Sequence, residues 1–539
     1  MRTRQARIGY SLLVLVMTAL LVATGIAVGA AAGTVAAAPS EISGGGWPTA
    51  GYDIADTRDA AAEHDIGPGN VSRLATAWSL TTTGSVTVTP TEADGTVYFP
   101  DSGGTLWAVA ADTGQVRWSH RVSVYTGIAG DVSRTSPAVY GDELVLGDTS
   151  PARTGASVIA VDRRTGQLRW RTLVDPHVAA IITGAAVVYR GVVYEGVSSD
   201  EEVLATTPGY RCCSFRGSVV ALDAATGKLL WKTYTVPAGY SGGPVWGSTP
   251  AIDPEDNLVY VGTGDNYTAP PGVCTVPGET GCASPAADDH VDSVLALDRT
   301  TGAVRWFKST LSSDVFTLVC GDHPSGTCGP DFDFGSGPNL IRLPSGRQIL
   351  GIGQKSGVYW ALDARTGASV WQTMVGPGSS LGGIEWGSAT DGRRVYAAIS
   401  NAYRQASPIT SADGTTSITS GGFWAALDAA TGKILWQVAD PQGAADMGYV
   451  STANGVVYAG STAPAGTNMY ALDAASGRIL WRFASGGSVA SGAAIARGRV
   501  YWGSGYLLPI SCPAPTLALT YCPVGNDKFY AFALPAPRR

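Results

Sequence analysis

This chain is poor in charge for its length: only 15% of its 539 residues are Asp, Glu, Lys or Arg, and the basic ones are not gathered into runs. That composition excludes a nucleic-acid binder built on a basic face. With 45% hydrophobic residues, it also excludes a disordered chain. Histidine is scarce, with five in all, and His290 in DDHVDSV has no second His at metal-ligand spacing, so it reads as structural. No Cys-x-x-Cys-His occurs, so no c-type haem is covalently carried. No Cys stands near the N-terminal apolar run, which argues against a lipoprotein. Glycine (70) and proline (31) are plentiful, the signature of a chain with many turns.

Seven copies of one motif account for the turns: AVAADTGQVRW (108–118), AVDRRTGQLRW (160–170), ALDAATGKLLW (221–231), ALDRTTGAVRW (296–306), ALDARTGASVW (361–371), ALDAATGKILW (426–436) and ALDAASGRILW (471–481). Each is an apolar strand, a turn on Asp-x-x-(Thr/Ser)-Gly and a second strand ending in Trp. Asp and Thr side chains bond the turn backbone, and Gly supplies positive φ. An array of such units, each burying its neighbour's Trp, predicts an all-β propeller. Trp78 in LATAWSL ends an eighth unit whose first strands are missing, and DKFYAFALP (527–535) supplies a strand with no turn or Trp after it. Together they complete an eighth blade, closing the ring and removing its sheet edges. Trp-to-Trp spacings of 40 to 75 residues leave room for long loops, where sites are built on such scaffolds.

The first residues differ in kind. Arg2, Arg4 and Arg7 precede an apolar run from Ile8 to about Gly29, then small residues to Ala38. Residues 1–38 read as a secretory signal cleaved near Ala36–Ala38, or as an uncleaved anchor, set apart from one propeller over residues 45–535. Cleavage leaves 33 basic against 43 acidic residues, a net charge of −10. An acidic, exported chain is poorly suited to nucleic acid or, once the signal is removed, to anionic membrane. Export also favours disulfides. Six of the eight cysteines fall into local pairs, Cys274/Cys282, Cys320/Cys328 and Cys512/Cys522. Cys212 and Cys213 then pair with each other, unless they break the local arithmetic by bonding to the rest.

The Trp-ended repeats and the adjacent Cys212–Cys213 resemble the pyrroloquinoline quinone (PQQ) dependent alcohol dehydrogenases, eight-bladed quinoprotein propellers. The resemblance spans about Gly45 to Leu534. The segments YRCCSFRGSVVALDAATGK, GGPVWGSTPAIDP and PDFDFGSGPNL are most similar to the polyvinyl-alcohol dehydrogenases within that family. The resemblance implies PQQ, a Ca²⁺ ion, an alcohol substrate and an external electron acceptor such as a cytochrome c. The repeats alone also suit a non-catalytic scaffold of the outer-membrane assembly type, binding protein or polysaccharide, so the site has to be tested residue by residue.

In PDFDFGSG the resemblance makes Asp333, between Phe332 and Phe334, the general base beside Ca²⁺, with Asp331 as the less favoured choice. In VYVGTGDNY it places Asp265 where the family has a Ca²⁺-binding Asn; Asp is also a hard oxygen ligand. In GVSSDEEV it gives Glu201 as the third ligand, with Glu202 as the alternative, and Ser198 as a cofactor contact. Trp246 in GGPVWGSTP matches the stacking floor, and Lys355 in GQKSGVYW the cation near the quinone oxygens. Arg134, Thr183 and Asn401 fall at cofactor positions, and Cys212–Cys213 form the roof. There are departures. The cysteines follow the Glu201 segment instead of preceding Arg134, Thr87 stands in place of a family Glu, and Asp446 in place of a Trp. GGIEWGSATDG (382–392) parallels the Trp246 segment; its Glu385 and Trp386 either line the substrate path or are ordinary strand residues.

Overall fold

Each repeat motif folds as the last two strands of an antiparallel sheet, four-stranded in every blade but the third, which has five. In the third copy, Ser218–Asp223 pairs with Leu229–Tyr234 so that Ala221 faces Trp231. Asp223 Oδ1 accepts the Thr226 N–H and hydroxyl, as the turn chemistry predicts. In the computed structural model, which describes residues 45–247, 249–321, 326–506 and 522–536, these sheets number eight. Seven are formed in sequence by residues 91–121, 138–175, 180–234, 251–309, 339–374, 389–439 and 450–483. The eighth joins Ala494–Ala496, Arg499–Gly503 and Lys528–Ala533 to the N-terminal strand Ala75–Thr81.

The eight-bladed expectation and its closure by the two chain ends therefore hold. Thr81 pairs with Lys528 and Ala75 with Ala533, and the Trp78 ring stacks on Phe529 with centroids 5.9 Å apart. A relay of eight indoles locks the ring. Trp78 donates to the Ala111 carbonyl, Trp118 to Arg163, Trp170 to Ala224, Trp231 to Arg299, Trp306 to Ala364, Trp371 to Ala429 and Trp436 to Ala474. Trp481 closes the circuit by donating to Leu74, the residue before the N-terminal strand.

First strands of the sheets are mostly buried and last strands mostly half-buried or exposed, which places the first strands towards the axis. Residues 47–63, before the first sheet, form a strap that visits these inner strands in ring order. Trp47 exchanges backbone bonds with Glu92. Pro48 accepts from Val139, Ile54 from Ile252, Ala55 from Leu340, Thr57 from Thr390 and Arg58 from Thr452. Ile54 also packs against the third and fourth blades, and Glu63 accepts the Gly498 N–H at the eighth.

Disulfides join Cys212 to Cys213, Cys274 to Cys282 and Cys320 to Cys328, as the local arithmetic predicts. Cys512 and the N-terminal segment 1–38 lie outside the described residues, and among those described no helix is long and apolar enough to cross a membrane.

Candidate active site

Loops leaving the third to sixth blades converge on one buried cluster of charges. Asp331 and Asp333 lie in a loop entering the fifth blade, not on a strand, and Asp331 takes a left-handed φ of 59°. That twist brings two carboxylates to one cation: Lys355 Nζ lies 2.8 Å from Asp331 Oδ1 and 2.8 Å from Asp333 Oδ2. The loop is held from behind by Asp314, whose carboxylate accepts the Asp331 and Phe332 N–H groups. Asp265, at the end of the fourth blade's second strand, donates its backbone N–H to Asp333 Oδ1 over 2.7 Å. Gly264 makes this approach possible, because a Cβ there would sit 2.5 Å from the same oxygen. Oxygens of Asp265, Asp331 and Asp333 all lie within 4.8 Å of one another, and all three residues are buried.

The electrostatics follow from burial. Asp265 is fully buried and neither of its carboxylate oxygens has a hydrogen-bond partner. Desolvation, then the charges of Asp333 and Asp331, push its carboxyl well above the usual range. Burial also raises Asp331, against the pull of Lys355. Burial works against the Lys355 charge too, but Asp331 and Asp333 outweigh it and hold the ammonium well above its ordinary value. Lys355 is therefore a permanent cation among an excess of acids. Two more acids face it: Glu202 and Glu385, each pushed up to about 7 by burial, with Lys355 opposing. Glu385 is 6% exposed and its Oε2 has no partner.

Glu201, the expected third ligand, accepts the Tyr210 hydroxyl at 2.7 Å and the backbone N–H groups of Ser214 and Phe215. Successive residues of a helix are turned by about 100°. On the short helix Glu201–Leu204, only one of the two glutamates can face the cluster, and Glu202 is the one that feels Lys355 and Asp333. Glu201 instead ties down the loop that carries Cys212–Cys213, and Cys213 packs beside the core that contains Phe215 and Tyr267.

Asn401 donates its amide to the Gln405 and Gly421 carbonyls, and its side-chain oxygen accepts the Gln405 N–H. The departure Asp446 is buried with both oxygens unpartnered, near Asp440.

The other predicted positions gather beside the acids. Thr87, Arg134 and Thr183 line one cavity together with Trp386, Tyr449 and Tyr506. Thr183 Oγ1 lies 2.9 Å from Ser198 Oγ. Arg134 lies over the Trp386 ring, 5.6 Å from its centroid, and makes no ion pair among the described residues. Trp246 is partly exposed, with an unpartnered buried indole N–H. Trp386 packs against the next residue, Gly247, where a Cβ would meet the ring at 2.5 Å. Sequence reasoning passed over Tyr449 and Tyr506, which carry no motif. It left Glu385 undecided, although the likeness of its segment to that of Trp246 was the available signal.

Similarity to known proteins follows the same lines. A family model described as the outer membrane protein assembly factor BamB matches residues 74–207 and 421–506. Another, described as the β-propeller domain of glucose/ethanol/alcohol dehydrogenase, matches residues 237–378, which hold Trp246, Asp265, Asp333 and Lys355. The chain is 34% identical over 396 residues to polyvinylalcohol dehydrogenase of Sphingopyxis sp. (strain 113P3), covering 68% of this chain and 55% of that protein. It is 27% identical over 392 residues to quinohemoprotein alcohol dehydrogenase ADH IIB of Pseudomonas putida, covering 65% and 50%. The chain thus spans about half the length of the curated relatives it matches. In fold it resembles the quinohemoprotein alcohol dehydrogenase of Comamonas testosteroni (TM-score 0.66, 22% identity, 92% of this chain and 81% of that one). The structural likeness shows the shared eight-bladed fold, and by the sequence matches the chain belongs to the family of PQQ-dependent alcohol dehydrogenases.

Proposed function

We propose that this chain is an exported quinoprotein that oxidises an alcohol, with PQQ and Ca²⁺ as cofactors. The observation that carries the reading is the pair of unpartnered Asp265 oxygens, buried against Asp331, Asp333 and Lys355. Buried charge without a partner is costly, and a hard divalent cation is the natural complement to such oxygens. The donor set suits Ca²⁺ held by Asp265, Asp333 and Glu202, with Glu202 replacing Glu201. It also suits a planar tricarboxylate: Arg134, Lys355, Thr183 and Ser198 offer cations and hydroxyls, and Trp246 offers a flat face. Cys212–Cys213 is the proposed roof.

When bound, PQQ supplies a quinone that takes up hydride from the alcohol carbon. The protein's part is the proton and the field. Asp333 accepts the hydroxyl proton, which lets the carbon–hydrogen bond release its electron pair. Lys355 stays cationic and stabilises the negative charge that develops on the quinone oxygens. An external acceptor such as a cytochrome c is the proposed destination of the electrons. Secondary or polymeric alcohols are the favoured substrates, on the likeness to polyvinylalcohol dehydrogenase.

The test is titration of the protein with PQQ and Ca²⁺, followed by absorbance, and then dye-linked oxidation of a secondary alcohol. Saturable PQQ uptake that requires Ca²⁺, with turnover, is the expected result. Absence of uptake would return the chain to the scaffold reading.

A further inference from the structure

The strap at residues 47–63 does more than cross the inner strands. Within seven positions it places three non-glycine residues in the left-handed region: Tyr52 (φ 73°), Asp56 (φ 53°) and Arg58 (φ 53°). Such backbone is unfavourable for a residue with a Cβ and persists only where its surroundings fix it. At Arg58 the outcome is a guanidinium sunk into the core, 1% exposed. Nε donates to the Val450 carbonyl at 2.9 Å and Nη2 to Thr89 Oγ1 at 2.6 Å. The guanidinium carbon lies 4.6 Å from the centroid of the Tyr449 ring. Tyr449 in turn stacks on Trp386 at 6.5 Å and 29°. Arg134 also lies over the Trp386 ring, and that ring rests on Gly247, next to Trp246.

Two glycines make room for this column. A Cβ at Gly492 would meet Thr89 Oγ1 at 2.2 Å and Arg58 Nη2 at 2.6 Å, and one at Gly387 would meet Tyr449 at 3.0 Å. Cation, phenol, indole and cation thus alternate from the strap to the cavity that Thr87, Arg134 and Thr183 line. Desolvation strengthens cation–π contacts of this kind, so the buried guanidinium favours one placement of the ring. Arg58 does not line the cavity itself; it reaches the cavity wall through the Tyr449 ring and through the carbonyl of Val450, the residue after Tyr449.

We propose that Arg58 is a positioning residue: anchored by the strap, it fixes the Tyr449 ring, which sets the Trp386 indole as a wall of the cofactor cavity. The effect on cofactor rests on the reading that this cavity takes PQQ; the effect on Trp386 does not. The test therefore has two arms. In protein labelled with 5-fluorotryptophan, the Trp386 resonance is assigned by its loss in Trp386→Phe. Arg58→Met should shift or broaden that resonance and leave the Trp306 resonance, assigned by Trp306→Phe, in place. In the second arm, Arg58→Met should raise the Kd for PQQ at saturating Ca²⁺ at least tenfold.

Arg58→Lys keeps a cation under the ring and should recover most of both signals, and Tyr449→Phe keeps the ring and should behave as wild type. Tyr449→Leu should match Arg58→Met, and the double variant should be no worse than either single one. If Arg58→Met does not fold, Tyr449→Leu and Arg58→Lys carry the comparison. An unmoved Trp386 resonance in Arg58→Met, or additive effects in the double variant, would overturn the proposal. Wild-type protein that takes up no PQQ would overturn the functional reading instead, and the fluorine arm would still decide the role of Arg58.

Discussion

The backbone N–H of Asp265 donates to the carboxylate of Asp333 over 2.7 Å, so the fourth blade holds the side chain that the fifth blade presents. With Lys355 on its other oxygen, Asp333 is fixed at both ends, while Asp331 shares the same ammonium from the opposite side. The two carboxylates thus share one ammonium and differ in what else anchors them.

That difference defines the first prediction. Asp333→Asn should keep the Asp265 bond, because the amide oxygen can still accept it, but cannot take the substrate proton. Alcohol oxidation in PQQ- and Ca²⁺-loaded protein should fall by about 10²–10⁴-fold with the fold intact. Asp331→Asn should cost far less. Dye-linked steady-state rates on both variants decide the matter, and the reverse ranking would move the base to Asp331.

Ca²⁺ should raise the thermal midpoint of the cofactor-free protein, and a chelator should reverse the gain. A cation at 1,000 times its Kd adds about 4 kcal/mol of stability. Asp265→Asn and Glu202→Gln should each reduce that gain. Glu201→Gln should leave it and lower the stability of the metal-free protein by about 1–3 kcal/mol, since three donors lose a charged acceptor. Scanning calorimetry with and without Ca²⁺ separates the two glutamates.

The ring was legible in the chain because its repeat is one-dimensional. Each Asp-x-x-Thr-Gly turn and each Trp acts on the next blade, so seven copies and two fragments suffice to count eight. Asp265, Asp333 and Lys355 each stand inside a motif whose neighbours are fixed by sequence, and the structure brings them together. Which of two adjacent glutamates on a helix faces the acids depends on rotation, and rotation is set by the Tyr210 and Phe215 contacts, which are tertiary. The partners of Asn401 likewise depend on a local turn and on Gly421, which no motif specifies. The strap escaped notice altogether. Residues 47–63 carry no period, and their order comes from bonding to strands up to about four hundred positions away.

Asp148 should give the protein a pH-dependent stability. It is fully buried, and burial, opposed by the Ser157 N–H and reinforced by Asp131, lifts its carboxyl from 3.8 to about 7. A raised carboxyl binds its proton more tightly in the folded state. Its favourable contribution is therefore complete below pH 4 and is lost as pH rises towards 7. Asp148→Asn keeps an acceptor for Ser157 and removes the titration. Its thermal midpoint should exceed that of wild type at pH 8 and lose the advantage at pH 4. Taking the difference between the two proteins cancels the other buried acids.

The repeat glycines should prove more than turn formers. Gly227 has φ 70°, and a Cβ there would lie 2.4 Å from the Trp170 ring of the preceding blade. Trp170 is fixed in that place by its bond to the Ala224 carbonyl, in the same turn, so the ring cannot slide aside without losing a buried donor's partner. Gly346 has φ 85° and nothing within 4 Å of where its Cβ would lie. Alanine at either position bears the left-handed backbone cost of roughly 1–2 kcal/mol. Only Gly227→Ala adds a collision with an indole that has no free volume, of the kind that costs typically 1–3 kcal/mol more. Denaturant unfolding of the two variants should thus show Gly227→Ala to be the more destabilised. It should also lose near-ultraviolet ellipticity from Trp170, and Gly346→Ala should not. Equal losses would mean that the glycine serves backbone conformation alone, and that the stacking of each turn on the previous Trp contributes nothing to holding the blades together.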